Sequence, residues 1–211
     1  NPVAVVRWNS DKHYLQDIAA AGLPIIPTRF IEKGEQPELM GYFEELESDQ
    51  LIIKPAVSGG AKNTLVLRRE NVAAIAAEIQ PLLQEESFMV QPFVPEIQTE
   101  GEWSFMFFGG RFSHCLLKTV KEGDFRVQHI HGGSVHARQA PEGLLEIARQ
   151  YIERFAQGCL YARVDGVMFR GQFCLMELEL IEPYHYLFTS ESSFEAYYQA
   201  LKEQMGELVR G

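Results

Sequence analysis

Three carboxylates lie close together near the end of the chain, in a segment whose alternating residues predict two strands joined by a tight turn. Asp165 lies on the first strand, and Glu177 and Glu179 lie on the second. Because side chains on a strand alternate between its faces, the two glutamates share one face. Neighbouring carboxylates repel one another unless a cation neutralises them. Oxygen ligands of this kind suit Mg²⁺, which commonly binds a few carboxylates together with substrate phosphates.

The register of this hairpin decides whether Asp165 joins the two glutamates. A two-residue turn at 170–171 would place Asp165 opposite an apolar residue and mix acids with the core face. A three-residue loop at 169–171 instead places Arg163 opposite Glu177 and Asp165 diagonally beside it. We therefore expect the three-residue loop and a shared acidic face. The same pattern also fits a solvated polar face whose acids pair with Arg163 and other bases.

A glycine-rich segment between two predicted strands is the second candidate site. Lys54 stands at the end of the first strand, and Ser58, Gly59 and Gly60 follow it. Glycines let the backbone approach phosphates with its N–H groups, and Lys54 supplies positive charge. The segment lacks the GxxxxGK[ST] pattern, so it is not a P-loop. An ordinary surface hairpin loop is the alternative, because most glycine-rich turns only reverse the chain.

The composition restricts the partners of these sites. The 19 basic and 29 acidic residues give a net charge of −10, which argues against general affinity for DNA or RNA. No apolar run approaches the roughly 20 residues that cross a bilayer, and the first residues lack the basic leader of a signal peptide. The three cysteines have no metal-binding spacing and predict reduced core residues, so we expect a cytoplasmic protein.

The elements that position these residues predict an α+β fold of two lobes. A small lobe spans residues 1–94, including its preceding helix, and a larger lobe rich in antiparallel strands spans 95–211. Apolar spacing and capping residues predict helices over 11–21, 37–47, 71–79, 141–155 and from 192 onward. Alternation and turn residues predict strands over 51–54, 64–67, 89–94, 103–108, 111–118, 125–130, 164–169 and 172–180.

In their order and spacing, these features resemble the ATP-grasp superfamily, and especially its glutathione-synthetase-like branch of carboxylate–amine ligases. The resemblance covers nearly the whole chain, and the run at 177–183 is similar to a cycloserine-synthetase-like subgroup. The segments that carry the resemblance are Asn9-Ser10-Asp11-Lys12, the stretch 21–28, Lys54 with Ser58-Gly59-Gly60, Gln91-Pro92-Phe93-Val94, Gly101-Glu102, Asp124-Phe125-Arg126, and the hairpin with Asp165, Glu177 and Glu179.

The resemblance implies a role for each of these residues. The fold would be that of ATP-grasp enzymes, with the nucleotide in the cleft between the lobes. Arg126 would contact the transferring phosphate and act in catalysis. The implied cofactor-binding residues are Lys12 and Lys54 on phosphates, Ser58, Gly59 and Gly60 covering them, Gln91, Phe93 and Val94 at adenine, and Glu102 at the ribose. The implied Mg²⁺ ligands are Asp165, Glu177 and Glu179.

The implied reaction transfers a phosphoryl group from Mg-ATP to a small-molecule carboxylate, and an amine then displaces the phosphate. Catalysis of this kind rests on positioning and charge neutralisation, without a protein nucleophile. Two alternatives stay open: a nucleotide-binding regulatory module or subunit without ligase activity, and a small-molecule kinase on the same scaffold. The sequence specifies neither substrate, nor the oligomeric state.

Two departures from the family pattern bear on this interpretation. Glu179 stands where many relatives have asparagine, which adds negative charge to the metal motif. The chain also begins at Asn1, after the point where the family usually carries an N-terminal α/β domain that helps bind the acceptor. We therefore expect this chain to be a fragment of a longer enzyme.

Overall fold

A computed structural model describes residues 1–59, 63–120 and 133–210, and the side chains of these residues up to 206. The chain divides into two units. The small unit comprises Asp11–Ala20 and Ile25–Pro95, and the large unit comprises Asn1–Ser10, Ala21–Pro24 and Glu96–Gly211. The large unit thus includes the first ten residues of the chain as well as its C-terminal part.

The described helices are α1 (Val3–Asn9), α2 (Tyr14–Ala20), α3 (Gly41–Glu45), α4 (Val72–Leu82), α5 (Glu96–Thr99), α6 (Glu142–Phe155) and α7 (Ser193–Arg210). The described strands are β1 (Arg29–Ile31), β2 (Gln50–Pro55), β3 (Leu65–Arg68), β4 (Phe88–Pro92), β5 (Glu102–Phe108), β6 (Arg111–Thr119), β7 (Ser134–Arg138), β8 (Tyr161–Phe169) and β9 (Gln172–Glu179). The strand predicted over 125–130 lies outside the described residues.

The small unit is built on a sheet of order β1-β4-β2-β3, in which every pairing is antiparallel. Strand β2 alternates buried and half-buried residues, as expected for a strand with one face in the core. Its buried Leu51 and Ile53 pack with Phe43 of α3 and Ile79 of α4. Burial of such apolar area contributes about 25 cal/mol per Å², and it holds α3 and α4 on this sheet.

The large unit is built on an antiparallel sheet of order β7-β6-β5-β8-β9. Helix α6 packs against β8 and β9, while α7 packs against β5 and β6. Tyr151 of α6 is fully buried, and its hydroxyl donates a hydrogen bond to the carbonyl of Pro24. Met106 and Phe108 on β5 pack with Ala200 of α7. The second half of β5 is therefore covered by a helix.

Several elements differ from the predictions made from sequence. Helix α1 was not predicted. Helix α2 begins at Tyr14 instead of residue 11, because Asp11 forms a turn in which its carboxylate accepts the His13 backbone N–H. On α7 the large residues Tyr198 and Met205 are exposed. The buried stripe of α7 runs through Ala200, so the helix is rotated from the orientation that the larger residues suggested.

Among the described residues, no helix combines the length and the apolar character that crossing a membrane would require.

Candidate active site

The hairpin of β8 and β9 has a different register from the one predicted. Its turn has two residues, Arg170 and Gly171, with φ angles of 52° and 79°. Positive φ at both central positions suits the right-handed twist of a two-residue hairpin turn. The prediction of a three-residue loop was therefore wrong. Even so, Asp165 lies directly opposite Glu177, and their side chains share one face of the sheet.

A β-bulge reconciles the short turn with the shared face. Gly166 pairs with Leu175, but Asp165 pairs with Glu177, so Met176 is an extra residue on β9. Gly166 fits this position because a Cβ atom there would lie 2.4 Å from Cζ of Phe173. The bulge shifts the alternation of β9 by one residue and returns its acids to the face that carries Asp165.

Asp165 is the centre of a buried ion network on this face. Arg163 donates to it through Nε at 2.9 Å and Nη2 at 2.8 Å, and Lys118 Nζ donates at 3.1 Å. Ser104 donates its hydroxyl at 2.5 Å. Burial alone would raise the pKa of Asp165, but Arg163 and Lys118 outweigh that effect and hold its pKa below the usual range. Asp165 is therefore ionised.

Lys118 joins Asp165 to a second buried acid, Glu102. Their Nζ and Oε1 atoms are 2.6 Å apart, and both side chains are at most 10% exposed. Burial raises the pKa of Glu102, and Lys118 opposes this rise. For Lys118 itself, burial lowers the pKa, while Asp165 and Glu102 together raise it above its ordinary value. The lysine is therefore a permanent cation between two carboxylates.

Sequence reasoning missed Lys118 because a second bulge hides it. Gly109 and Gly110 form a two-residue turn, and strict alternation from that turn would place Leu117 opposite Glu102. The register shifts between Met106 and Phe107, so Lys118 takes that place. The turn was predicted and the shift was not, since a bulge leaves no unambiguous residue pattern in a sequence.

Glu179 completes the network at its more open end. Its carboxylate pairs with Arg163 Nη2, and its side chain is 30% exposed. Burial and the nearby Asp165 raise the pKa of Glu179 to about 7, against the opposing effect of Arg163. Glu179 is therefore a fourth acid of the network, and Arg163 opposes part of its charge.

The network carries more negative than positive charge. Four carboxylates and two cations leave a formal charge of −2 among six side chains: Glu102, Asp165, Glu177, Glu179, Lys118 and Arg163. One divalent cation would balance this excess, and an all-oxygen donor set suits Mg²⁺. Within the described part of the chain, no group of three or more His, Cys, Asp or Glu residues is arranged as a formed metal site. The oxygen donors and the negative charge of the network therefore suit Mg²⁺, while Asp165 forms ion pairs with Arg163 and Lys118.

Two of the candidate phosphate-binding residues of the small unit, Lys12 and Ser58, are joined by a hydrogen bond. Lys12 is 8% exposed, and its Nζ donates to the Ser58 carbonyl at 2.8 Å. Its backbone N–H donates to the Ala56 carbonyl at 3.0 Å. Lys54 lies next to the end of β2, opposite Met89 of β4. Lys12 therefore lies against the segment that directly follows β2, and Lys54 lies in that strand, two residues before Ala56.

Most of the remaining predicted site residues lie in the segment 91–94 or in the glycine-rich segment. Gln91 is buried and donates to Thr28 Oγ1 at 2.9 Å, while the Phe93 backbone N–H donates to the Gln50 carbonyl at 2.8 Å. Val94 is buried and Gly59 is exposed. The predictions for Gly60 and Arg126 fall outside the described residues.

Residues 20–177 match the family model described as the ATP-grasp domain of prokaryotic glutathione synthetase. The chain belongs to this ATP-grasp family. It is an ATP-dependent ligase of the carboxylate–amine type, as its family resemblance predicted. Its relatives do not favour the non-catalytic module or the kinase.

Individual relatives of this ATP-grasp ligase agree with the family. The chain is 28% identical to the cycloserine biosynthesis protein DcsG of Streptomyces lavendulae over 97% of its own length and 72% of that protein's. It matches the crystal structure of D-cycloserine synthetase DcsG with a TM-score of 0.82 and 27% identity, covering 96% of this chain and 72% of that one.

A more distant structure shares the fold alone. The D-alanine–D-alanine ligase of Bacillus anthracis matches with a TM-score of 0.69 at 13% identity, over 96% of this chain and 68% of that one. The predicted ATP-grasp fold and glutathione-synthetase-like branch are thus confirmed. The roles of individual residues in the ligase stay predictions.

Proposed function

We propose that this ATP-grasp ligase uses Mg-ATP to convert a small-molecule carboxylate into an acyl phosphate, which an amine then attacks. The observation that carries the residue assignment is the surplus of carboxylates over cationic side chains around Asp165, where Asp165 and Glu102 are buried and Glu177 and Glu179 are half-buried. Neighbouring carboxylates repel one another, and a cation reduces this repulsion. The Mg²⁺ ion that accompanies the nucleotide would act in this way, and the same cation would draw charge from the phosphates during transfer.

The proposed Mg²⁺ ligands are Asp165, Glu177 and Glu179. Support comes from their shared sheet face and from the oxygen donors they offer. Arg163 bridges Asp165 and Glu179, and therefore fixes the orientation of both carboxylates. Lys118 fixes Asp165 from the other side. These two cations also lower the repulsion among the acids, so the ligands are held close together before any metal enters.

The small unit is proposed to bind the phosphates through Lys12 and Lys54, with Ser58, Gly59 and Gly60 covering them. The bond from the Lys12 ammonium to the Ser58 carbonyl supports this assignment, because it brings a cation to the glycine-rich segment. An ammonium group has three donors, so a lysine that holds the loop can also bind a phosphate oxygen.

The proposed nucleoside contacts are Gln91, Phe93 and Val94 for adenine and Glu102 for the ribose. The side chain of Gln91 is buried and bonded to Thr28, so this segment would contact adenine through its backbone. Glu102 is held by Lys118, which leaves its second carboxylate oxygen as a possible acceptor for a hydroxyl group. Arg126 is proposed to contact the transferring phosphate, since its planar fork can bind two oxygens at once.

We infer that the substrates are small and amino-acid-like. The inference is supported by similarity along 97% of the chain to a cycloserine biosynthesis protein. The test measures phosphate release from ATP with the purified protein across a panel of amino-acid-like carboxylates and amines. A ligase releases phosphate only when a carboxylate is present, and hydroxylamine should trap the acyl phosphate as a hydroxamate.

Three outcomes separate the possible activities. Hydroxamate formation together with amine-dependent product supports the ligase. A stable phosphorylated product that forms without any amine would identify a kinase instead. Tight Mg-ATP binding without turnover on any substrate of the panel would contradict the amino-acid-like substrate class.

A further inference from the structure

A histidine is held between two carboxylates in the turn before α2. His13 Nδ1 lies 2.5 Å from Asp11 Oδ1, and its Nε2 lies 3.0 Å from Glu32 Oε1. The His13 backbone N–H donates to the same Asp11 oxygen at 2.9 Å. Its ring stacks on Phe30 with a centroid distance of 4.0 Å. The imidazole therefore joins the turn that contains Lys12 to the end of β1.

Further hydrogen bonds lead from Glu32 back to Lys12. The second oxygen of Glu32 accepts from the Ser87 hydroxyl at 3.0 Å, and the Ser87 carbonyl accepts from the Ala56 N–H at 2.9 Å. The Ala56 carbonyl then accepts from the Lys12 N–H at 3.0 Å. This closed hydrogen-bond circuit of His13, Glu32, Ser87, Ala56 and Lys12 lies entirely in the small unit.

The circuit requires the charged form of the histidine. A neutral imidazole has one N–H donor, whereas both His13 nitrogens face carboxylates and only the imidazolium donates to both. Burial lowers the pKa of His13, but the hydrogen bonds and charges of Asp11 and Glu32 outweigh it and raise the pKa above 6.5. Asp11 comes from its own turn and Glu32 from the end of β1, while Phe30 covers one ring face.

We propose that His13 is a positioning residue for nucleotide binding: its imidazolium clamps the turn that sets the Lys12 ammonium against the Ser58 carbonyl. This inference rests on the proposed role of Lys12 at the ATP phosphates. Loss of the His13 proton removes one of the two donors and loosens the turn. Nucleotide affinity should therefore fall as the pH rises through the titration of His13, since the clamp is complete only in the protonated state.

A surface ion pair without function is the simpler explanation to be excluded. The side chains of His13, Asp11 and Glu32 are 29%, 45% and 54% exposed, and exposed pairs contribute little to stability. Such a pair would affect the unfolding midpoint slightly and leave nucleotide binding unchanged. The exposed pair of Arg29 and Glu45, with 2.9 Å between its atoms, lies in the same unit but outside the circuit. It offers a matched control.

The experiment measures the dissociation constant of Mg-ATP by calorimetry from pH 6 to pH 9 for the wild type, His13→Gln and Glu45→Gln. We expect His13→Gln to bind roughly three- to tenfold more weakly at pH 6, as coupled neighbours in one network do. The two proteins should converge at high pH. Using the ratio of the two constants at each pH cancels the titration of ATP itself. Glu45→Gln should follow the wild type throughout.

A fourth protein, Lys12→Ala, separates failure of the inference from failure of the proposed function. If Lys12→Ala binds weakly but His13→Gln equals the wild type at every pH, His13 has no positioning role and the proposed function stands. If Lys12→Ala binds as the wild type does, both the Lys12 assignment and the inference are overturned. If the wild type does not bind Mg-ATP, the proposed function itself fails.

Discussion

The substitution Lys118→Met tests the buried ion network directly. Lys118 is 4% exposed and pairs with Glu102 at 2.6 Å and with Asp165 at 3.1 Å. Methionine fills a similar volume without a charge, so the change removes the cation and leaves the packing nearly intact. Asp165 keeps Arg163 and Ser104 as donors. Glu102 loses the cation that opposes its desolvation.

The cost follows from leaving a buried carboxylate without its partner. Removing one member of a buried ion pair destabilises a protein by about 3–5 kcal/mol. The loss should depend on pH, because burial already raises the pKa of Glu102 and the variant raises it further. An acid whose pKa is higher in the folded state stabilises the fold at low pH, and this contribution is lost as the pH rises. The difference between the variant and the wild type should therefore grow from pH 5 to pH 8.

Tryptophan fluorescence during urea unfolding measures this difference. Both tryptophans of the chain, Trp8 and Trp103, belong to the large unit, so the signal reports the unit that contains Lys118. The exposed Lys202 of α7 provides a control, and Lys202→Met should change the free energy of unfolding by less than about 0.5 kcal/mol. A loss below about 1 kcal/mol for Lys118→Met, or a loss independent of pH, would refute the assignment of a buried network.

Three further substitutions test other parts of the site. Gly166→Ala should destabilise the large unit by about 1–3 kcal/mol because its Cβ would meet Phe173 at 2.4 Å. The control Gly143→Ala should not destabilise it, because a Cβ there meets no atom within 4 Å. Equal free energies of unfolding for the two variants would contradict the close approach at the bulge. Glu177→Gln should raise the Mg²⁺ concentration needed for nucleotide binding by roughly tenfold without moving the unfolding midpoint, and an unchanged Mg²⁺ dependence would exclude Glu177 as a ligand. Arg126→Ala should lower kcat by about 10³-fold, with a smaller effect on the KM for ATP; near-normal kcat in steady-state assays would exclude Arg126 from the transfer step.

How far the sequence could predict the site is clearest in the two hairpins of the large unit. Alternation located their strands, and Gly109-Gly110 marked the first turn. The acids at 165, 177 and 179 were expected on one face, and Asp165 does lie opposite Glu177. The reason given for this was wrong, because the extra residue lies within β9 and not in the turn. Alternation reveals that a strand is out of phase by one residue, but not where the shift occurs.

Lys118 and α7 show what local patterns could not supply. Lys118 looked like an ordinary strand lysine, because its role depends on pairing with Glu102 across a bulge. On α7, large apolar residues suggested a face that the structure leaves partly exposed, since small Ala200 allows the helix to approach Gly109. Both errors concern contacts between elements, which the residue pattern within a single element does not reveal.

Each hairpin of the large sheet has one bulge, which separates the residues next to the turn from the charged residues farther along the strands. Deleting Met176 would remove the bulge of β9 and still leave Glu177 opposite Asp165, because Glu177 would then follow Leu175 directly in the ladder. Deleting Ser113 would likewise leave Lys118 opposite Glu102. The extra residue on β6 or β9 can therefore be lost by evolution or by design without moving the charged residues to the other face. A one-residue deletion beyond the bulge, such as loss of Leu178, would instead place Glu179 opposite Val164 and rotate it to the opposite face of the sheet.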